Sequence, residues 1–216
     1  MSYTAVELEK AALLTIDVQN DFVLSGAPAE IPGTLDILPN LQRLVEGFRK
    51  SGLPIFHMVR FYLPDGSNAE RCRRHTIASG KRIVAPDTAG AELVDQIKPT
   101  ANIKLNAGVL LFGSPQQIGP NEWVIYKPRW GAFYNTPLST LLEARKINSV
   151  VVAGGNFPNC PRATVYEASE RDYRVALVTD AVSQLYDRAL AELRGVGVDL
   201  MTAGDCLCRL SQSATA

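Results

Sequence analysis

Histidine is scarce in this chain of 216 residues: only His57 and His75 occur, and no Cys-x-x-Cys spacing joins the cysteines at 72, 160, 206 and 208. Two isolated imidazoles and unpaired thiols make a poor donor set for zinc or iron, so neither a metal nor a cofactor is expected. Four scattered cysteines are equally far from the dense disulfide framework of a small secreted domain. Net charge is lacking too, with 22 basic side chains against 22 acidic ones. Nothing at the level of the whole chain calls for a polyanionic partner, and no nucleic acid is expected. No apolar run approaches the roughly 18 residues that span a bilayer. Residues 1–10 are polar and acidic, unlike a targeting segment. The expectation is a cytoplasmic protein with no membrane association. A Gly-rich phosphate turn is also missing after the first apolar run, where Asp17-Val18-Gln19-Asn20 stands instead. That argues against a nucleotide-binding oxidoreductase.

What is present is a composition of 46% hydrophobic and 20% charged residues, which suits one compact domain over 1–216. Short apolar runs alternate with longer amphipathic stretches, the pattern of βαβ units. Strands are predicted at 12–16, 54–59, 123–126, 149–153, 174–178 and 198–202, and helices at 35–51, 89–97, 136–146, 161–171 and 186–194. The fold class is therefore α/β: a doubly wound, mostly parallel sheet of about six strands with helices on both faces. Residues 61–122 form an irregular excursion, too long for an idle loop and better suited to a functional cover. Within it Arg71, Arg73, Arg74, His75, Lys81 and Arg82 form a basic cluster. A solvated face or a subunit contact accounts for that cluster more simply than an anion site.

Open parallel sheets bind ligands beyond the carboxyl ends of their strands. Three residues with useful chemistry fall there. Cys160 follows the run 149–153 and its Gly154-Gly155-Asn156 break, with Asn159 and Pro161 placed for a helix cap and first turn. A thiol in a first helical turn feels the positive end of the helix dipole, which favours thiolate. Asp17 ends the first run, where an apolar setting would raise its pKa towards that of a general base, although its residue type fits a turn cap equally well. Lys127 ends the third run and by itself carries little information. Carboxylate, cation and thiol together make a complete acyl-transfer set. His57 lies inside a predicted strand, so a carboxylate is the natural base for Cys160. Cys206 and Cys208 read as packing or surface thiols.

Ile16-Asp17-Val18-Gln19-Asn20-Asp21-Phe22, Lys127 followed by Ala132-Phe133, and Gly154 six residues before Cys160 with Thr164 and Ala168 after it occur in this order. In this the chain resembles the isochorismatase-like cysteine hydrolases, over residues from about 13 to 180, with Asp180-Ala181 as a further strand-end match. The resemblance implies a doubly wound sheet and a triad of Asp17, Lys127 and Cys160. It implies hydrolysis of a C–N bond in a small amide or ureido compound through an acyl thioester, without a metal or cofactor. It also implies a cis Gly155-Asn156 peptide, an oxyanion hole from the N–H groups of Asn156 and Cys160, and a homo-oligomer, dimer or tetramer.

Three departures bear on activity. Members of the family that cleave the vinyl ether of isochorismate lack the nucleophilic cysteine, so Cys160 argues against that reaction. The nicotinamidase branch carries an Asp-x-His metal motif after the second strand, where this chain has Val59-Arg60-Phe61-Tyr62-Leu63-Pro64-Asp65-Gly66. Phe157 stands where relatives often have threonine three residues before the cysteine. Candidates for substrate contact are Phe22, Arg60, Tyr62, Trp130, Phe133 and Phe157, with Arg129 and Tyr134 nearby; an arginine suits a substrate carboxylate. Two alternatives stay open: a non-catalytic small-molecule-binding or regulatory protein of the same fold, and a redox protein in which Cys160 is oxidised.

Overall fold

In the computed structural model, which describes residues 3–213, the strands are β1 (Ala11–Ile16), β2 (Ile55–Val59), β3 (Gln116–Gly119), β4 (Glu122–Tyr126), β5 (Ser149–Gly154), β6 (Arg174–Val182) and β7 (Asp199–Met201). They form one sheet in the order β3-β4-β2-β1-β5-β6-β7. All neighbours are parallel except β3 and β4. The helices are α1 (Asn20–Val23), α2 (Leu38–Lys50), α3 (Arg71–Ala78), α4 (Ala107–Leu111), α5 (Leu138–Glu143), α6 (Cys160–Ser169), α7 (Asp187–Gly195) and α8 (Ala203–Ser213).

The central strands are apolar along their whole length because both faces are covered. Every residue of β1 and of β5 is buried. Alternation along β1 divides the core in two. Ala11 and Leu13 join Leu41, Leu44 and Phe48 of α2 and Cys206 and Leu210 of α8. Ala12, Leu14 and Ile16 join Leu142 of α5, Val165 of α6 and Leu193 of α7. A period of two with helices on either side is the doubly wound architecture expected.

Three details differ from the sequence reading. Seven strands form rather than six, because the Gly- and Pro-rich run before β4 turns back as the antiparallel edge strand β3. The helix predicted at 89–97 is two short 3-10 turns, Ala89–Ala91 and Asp95–Ile97. Between them Leu93 bridges Gln19, so its apolar spacing serves a pinned extended segment. Helix α8 was not anticipated; it buries Cys206 and exposes Cys208. Its Leu207 packs so closely on Gly47 of α2 that a Cβ there would collide with it. No described helix is long and apolar enough to cross a membrane.

Candidate active site

Four adjacent strands, β4, β2, β1 and β5, end on the same side of the sheet, and Lys127, Arg60 and Asp17 are the first residues past three of them. Cys160 opens α6 a short turn after β5. This is the switch point of the sheet, where the chain leaves β1 towards β2 on one side and leaves neighbouring β5 towards β6 on the other. The ends of β1 and β5 touch closely: Gly154 pairs with Ile16, and its φ of 114° and the nearby Ile16 backbone leave no room for a Cβ. The next bond, Gly155-Asn156, is cis.

Asp17 is held at φ 54°, a left-handed conformation that costs a non-glycine residue roughly 1 kcal/mol or more. Its N–H donates to the Met58 carbonyl at 2.9 Å, which ties the turn to β2. The side chain is buried, with Oδ2 at 2.9 Å from Lys127 Nζ. Oδ1 has no hydrogen-bond partner among the described residues. Lys127 is completely buried and also donates to the Arg129 carbonyl at 3.4 Å. Two charges this deep cost several kcal/mol each to desolvate, which their pairing must offset.

Cys160 is buried and free, close enough to Asp17 and Lys127 for both charges to act on its thiol. Burial, and then the Asp17 carboxylate, push the thiol up to about 12, against a smaller lowering by Lys127. This reverses the thiolate expected from the helix position, because desolvation beside a carboxylate outweighs the dipole. Asn159 occupies the N-cap position without the expected capping bond; its Nδ2 donates instead to Asn156 Oδ1 at 3.2 Å. Among the described residues, the backbone N–H groups of Asn156 and Cys160 have no acceptor. The loop after Lys127 is fastened to α6 by Ala132 N–H on Thr164 Oγ1 at 3.1 Å and Phe133 N–H on Glu167 Oε2 at 2.8 Å.

A cavity of about 80 Å³ opens onto Asp17 and Cys160, small beside the several hundred Å³ of a pocket for drug-sized ligands. Phe22, Arg60, Tyr62, Trp130 and Asn156 line it as expected, and so do Glu70 and Arg73 of the 61–122 excursion. Phe133 and Phe157 do not. Phe133 packs in the core with its ring 5.6 Å from Tyr173, and Phe157 is buried against Tyr186 at 5.8 Å. Both follow strand ends, but their backbones turn the rings beneath the sheet rather than into the cavity. Arg60 is ion-paired but incompletely hydrogen-bonded: Nη1 donates to the Lys127 carbonyl at 2.5 Å, Nη2 lies 2.8 Å from Glu70 Oε1 without hydrogen-bond geometry, Nε has no partner among the described residues, and the guanidinium covers the Tyr62 ring. Tyr62 in turn donates to Glu70 Oε2 at 3.0 Å. Arg73 departs from the reading of the basic cluster as a solvated face or subunit contact, since it lines the cavity together with Asp17 and Cys160, which are distant from it in sequence.

Asp21, in the turn after β1, accepts from the Val84 N–H at 2.6 Å and so anchors the excursion. No cluster of three or more His, Cys, Asp or Glu side chains able to hold a metal occurs among the described residues. Near Arg60 and Glu70 the donor set does not fit a divalent cation, since the lone carboxylate is already paired and two guanidinium groups flank it.

The family model for the isochorismatase domain matches residues 11–105 and 114–205. A probable inactive nicotinamidase of Arabidopsis thaliana is 33% identical over 197 residues, covering 88% of this chain and 91% of its own length. The ureidoacrylate amidohydrolase RutB of Methylorubrum extorquens is 25% identical over 206 residues, covering 87% of this chain and 75% of its own. The crystal structure of an isochorismatase family protein from Desulfovibrio vulgaris superimposes with a TM-score of 0.78 at 31% identity, covering 96% of this chain and 99% of that one.

Proposed function

The chain belongs to the isochorismatase family, and from that premise we propose that it is a cysteine hydrolase cleaving a C–N bond of a small amide or ureido compound. The observation that carries this reading is a buried thiol beside a carboxylate, one of whose oxygens is bound by lysine while the other has no hydrogen-bond partner among the described residues, with both groups lining a small cavity. Asp17 takes the thiol proton as the sulfur adds to the substrate carbonyl, so the thiolate forms only during attack. Lys127 holds the carboxylate in place and balances the developing charge. The N–H groups of Asn156 and Cys160 receive the oxyanion, each worth about 3 kcal/mol in sites of this kind. When the intermediate collapses the C–N bond breaks, and Asp17 returns its proton to the departing ammonia or amine. Water then adds to the thioester with Asp17 as base, releasing the acid and restoring the thiol. No step is routed through a metal.

The relative named an amidohydrolase acting on ureidoacrylate supports the C–N assignment. The relative named probable inactive favours a second reading, a small-molecule-binding protein without turnover. A panel of small amides and ureides assayed for ammonia or amine release separates the two. Release that disappears in Asp17→Asn is the expected result. No release, while panel compounds still raise the thermal midpoint, would replace the first reading by the second.

A further inference from the structure

The cavity holds more positive than negative charge, and the excess sits on one residue. Asp17 is balanced by Lys127, and Glu70 by Arg60, at 2.9 and 2.8 Å. Arg73, half-buried on α3, also lines the cavity, and among the described residues its guanidinium has no ion pair, hydrogen-bond acceptor or aromatic face. The wall beside it is rigid: Glu70, buried, accepts from Tyr62 while pairing with Arg60, itself 1% exposed and bound to the Lys127 carbonyl. Arg60, the arginine first expected to meet a substrate carboxylate, thus has its charge answered within the protein.

We propose that Arg73 is the specificity-determining residue of the cavity and that the molecule bound there carries a carboxylate, which Arg73 holds while Cys160 faces its carbonyl. A guanidinium fork presents two parallel donors to a carboxylate, and a half-buried site strengthens such charge-assisted bonds relative to water. With about 80 Å³ available, the ligand is short: the carboxylate and the scissile amide or ureido group are separated by only a few atoms. The identity of the turned-over group rests on the hydrolase reading, whereas the carboxylate contact does not.

Alkylation of Cys160 tests the contact without any substrate. Iodoacetate and iodoacetamide form the same kind of sulfur–carbon bond with loss of iodide, and differ in having a carboxylate or a neutral amide. Rates for Cys160 are read by peptide mass mapping at moderately alkaline pH, with exposed Cys208 as the internal reference. The expected result is that Arg73→Met lowers the iodoacetate-to-iodoacetamide ratio at Cys160 by about tenfold, the value of one charge-assisted hydrogen bond, while the iodoacetamide rate barely moves. Arg73→Lys should fall between, keeping charge but losing the fork. An unchanged ratio in Arg73→Met overturns the proposal. A protein that hydrolyses no amide yet keeps the Arg73-dependent ratio loses the hydrolase reading alone; one that hydrolyses neutral amides with no Arg73 dependence loses the carboxylate contact alone.

Discussion

Two buried polar clusters lie along the same central strands, and by residue type the one away from the cavity looks more like a hydrolase. Thr15, His57 and Glu122 line up across β1, β2 and β4, with Thr15 Oγ1 2.7 Å from His57 Nδ1 and His57 Nε2 2.7 Å from Glu122 Oε1. A hydroxyl, an imidazole and a carboxylate in hydrogen-bonded sequence are the parts of a serine-type triad. Glu122 is ionised: burial would raise its pKa, but hydrogen bonds from Arg49 and His57 hold it down at about 2. His57 bridges the other two, with one ring nitrogen in hydrogen-bond contact with each. Every member is then satisfied, and Thr15 and His57 are sealed inside the sheet. Asp17, Lys127 and Cys160 differ in two respects. One carboxylate oxygen is unpartnered, and a cavity reaches the thiol. Chemistry belongs where polar groups are left incomplete within reach of a ligand, and stability where they are complete and closed off.

Substitutions can break this contrast. Cys160→Ala should reduce turnover of whichever panel compound is cleaved by about 10⁴-fold or more, with the circular dichroism spectrum unchanged. Glu122→Gln should do the opposite: stability in urea falls by about 3 kcal/mol, because buried His57 and the half-buried Arg49 lose the negative charge they share and Arg49 Nε faces an amide NH2 instead of an acceptor, while turnover per folded molecule stays near wild type. A large loss of turnover with full stability would assign the Thr15-His57-Glu122 cluster a part in the chemistry.

The same carboxylate sets an acid limb. Its folded pKa lies below its ordinary value of 4.5, so its contribution is complete above that value and declines as pH falls from 4.5 towards about 2. That shift corresponds to about 3 kcal/mol, and Glu122→Gln should flatten this part of a stability-versus-pH curve measured by urea melts. The smallest effect is expected from Thr15→Val, which removes one neutral hydrogen bond at nearly constant shape and should cost about 1 kcal/mol, with no change in turnover.

The same distinction decides what was legible in the sequence. Asp17 and Lys127 could be placed because each directly follows an apolar run, and Cys160 because it opens a helix one short turn beyond another; strand ends in a parallel sheet converge by topology alone. The buried central strands were equally plain, since apolar residues on both faces leave an unbroken run. The apolar spacing over 89–97 misled because Ala91, Leu93, Val94 and Ile97 all face the core from an extended, pinned segment rather than from a helix. Phe133 and Phe157 misled because position after a strand does not say which way a side chain points. Arg73 was hidden among charges of the same sign on α3, and only the folded excursion brings it beside Arg60 and Glu70. The protonated state of Cys160 was misjudged for the same reason, as burial beside Asp17 is a property of the assembled site.

The most direct test is a titration of the Cys160 thiol, followed by thiolate ultraviolet absorbance with the other three cysteines replaced by serine, in the presence and absence of Asp17→Asn. The expected result is a wild-type thiol that stays protonated well beyond neutral pH, and a thiol in Asp17→Asn that ionises at lower pH beside Lys127 while turnover collapses. More thiolate with less catalysis would identify Asp17 as the proton acceptor. A wild-type thiolate already present at neutral pH, or an Asp17→Asn thiol whose ionisation does not move downward, would contradict it.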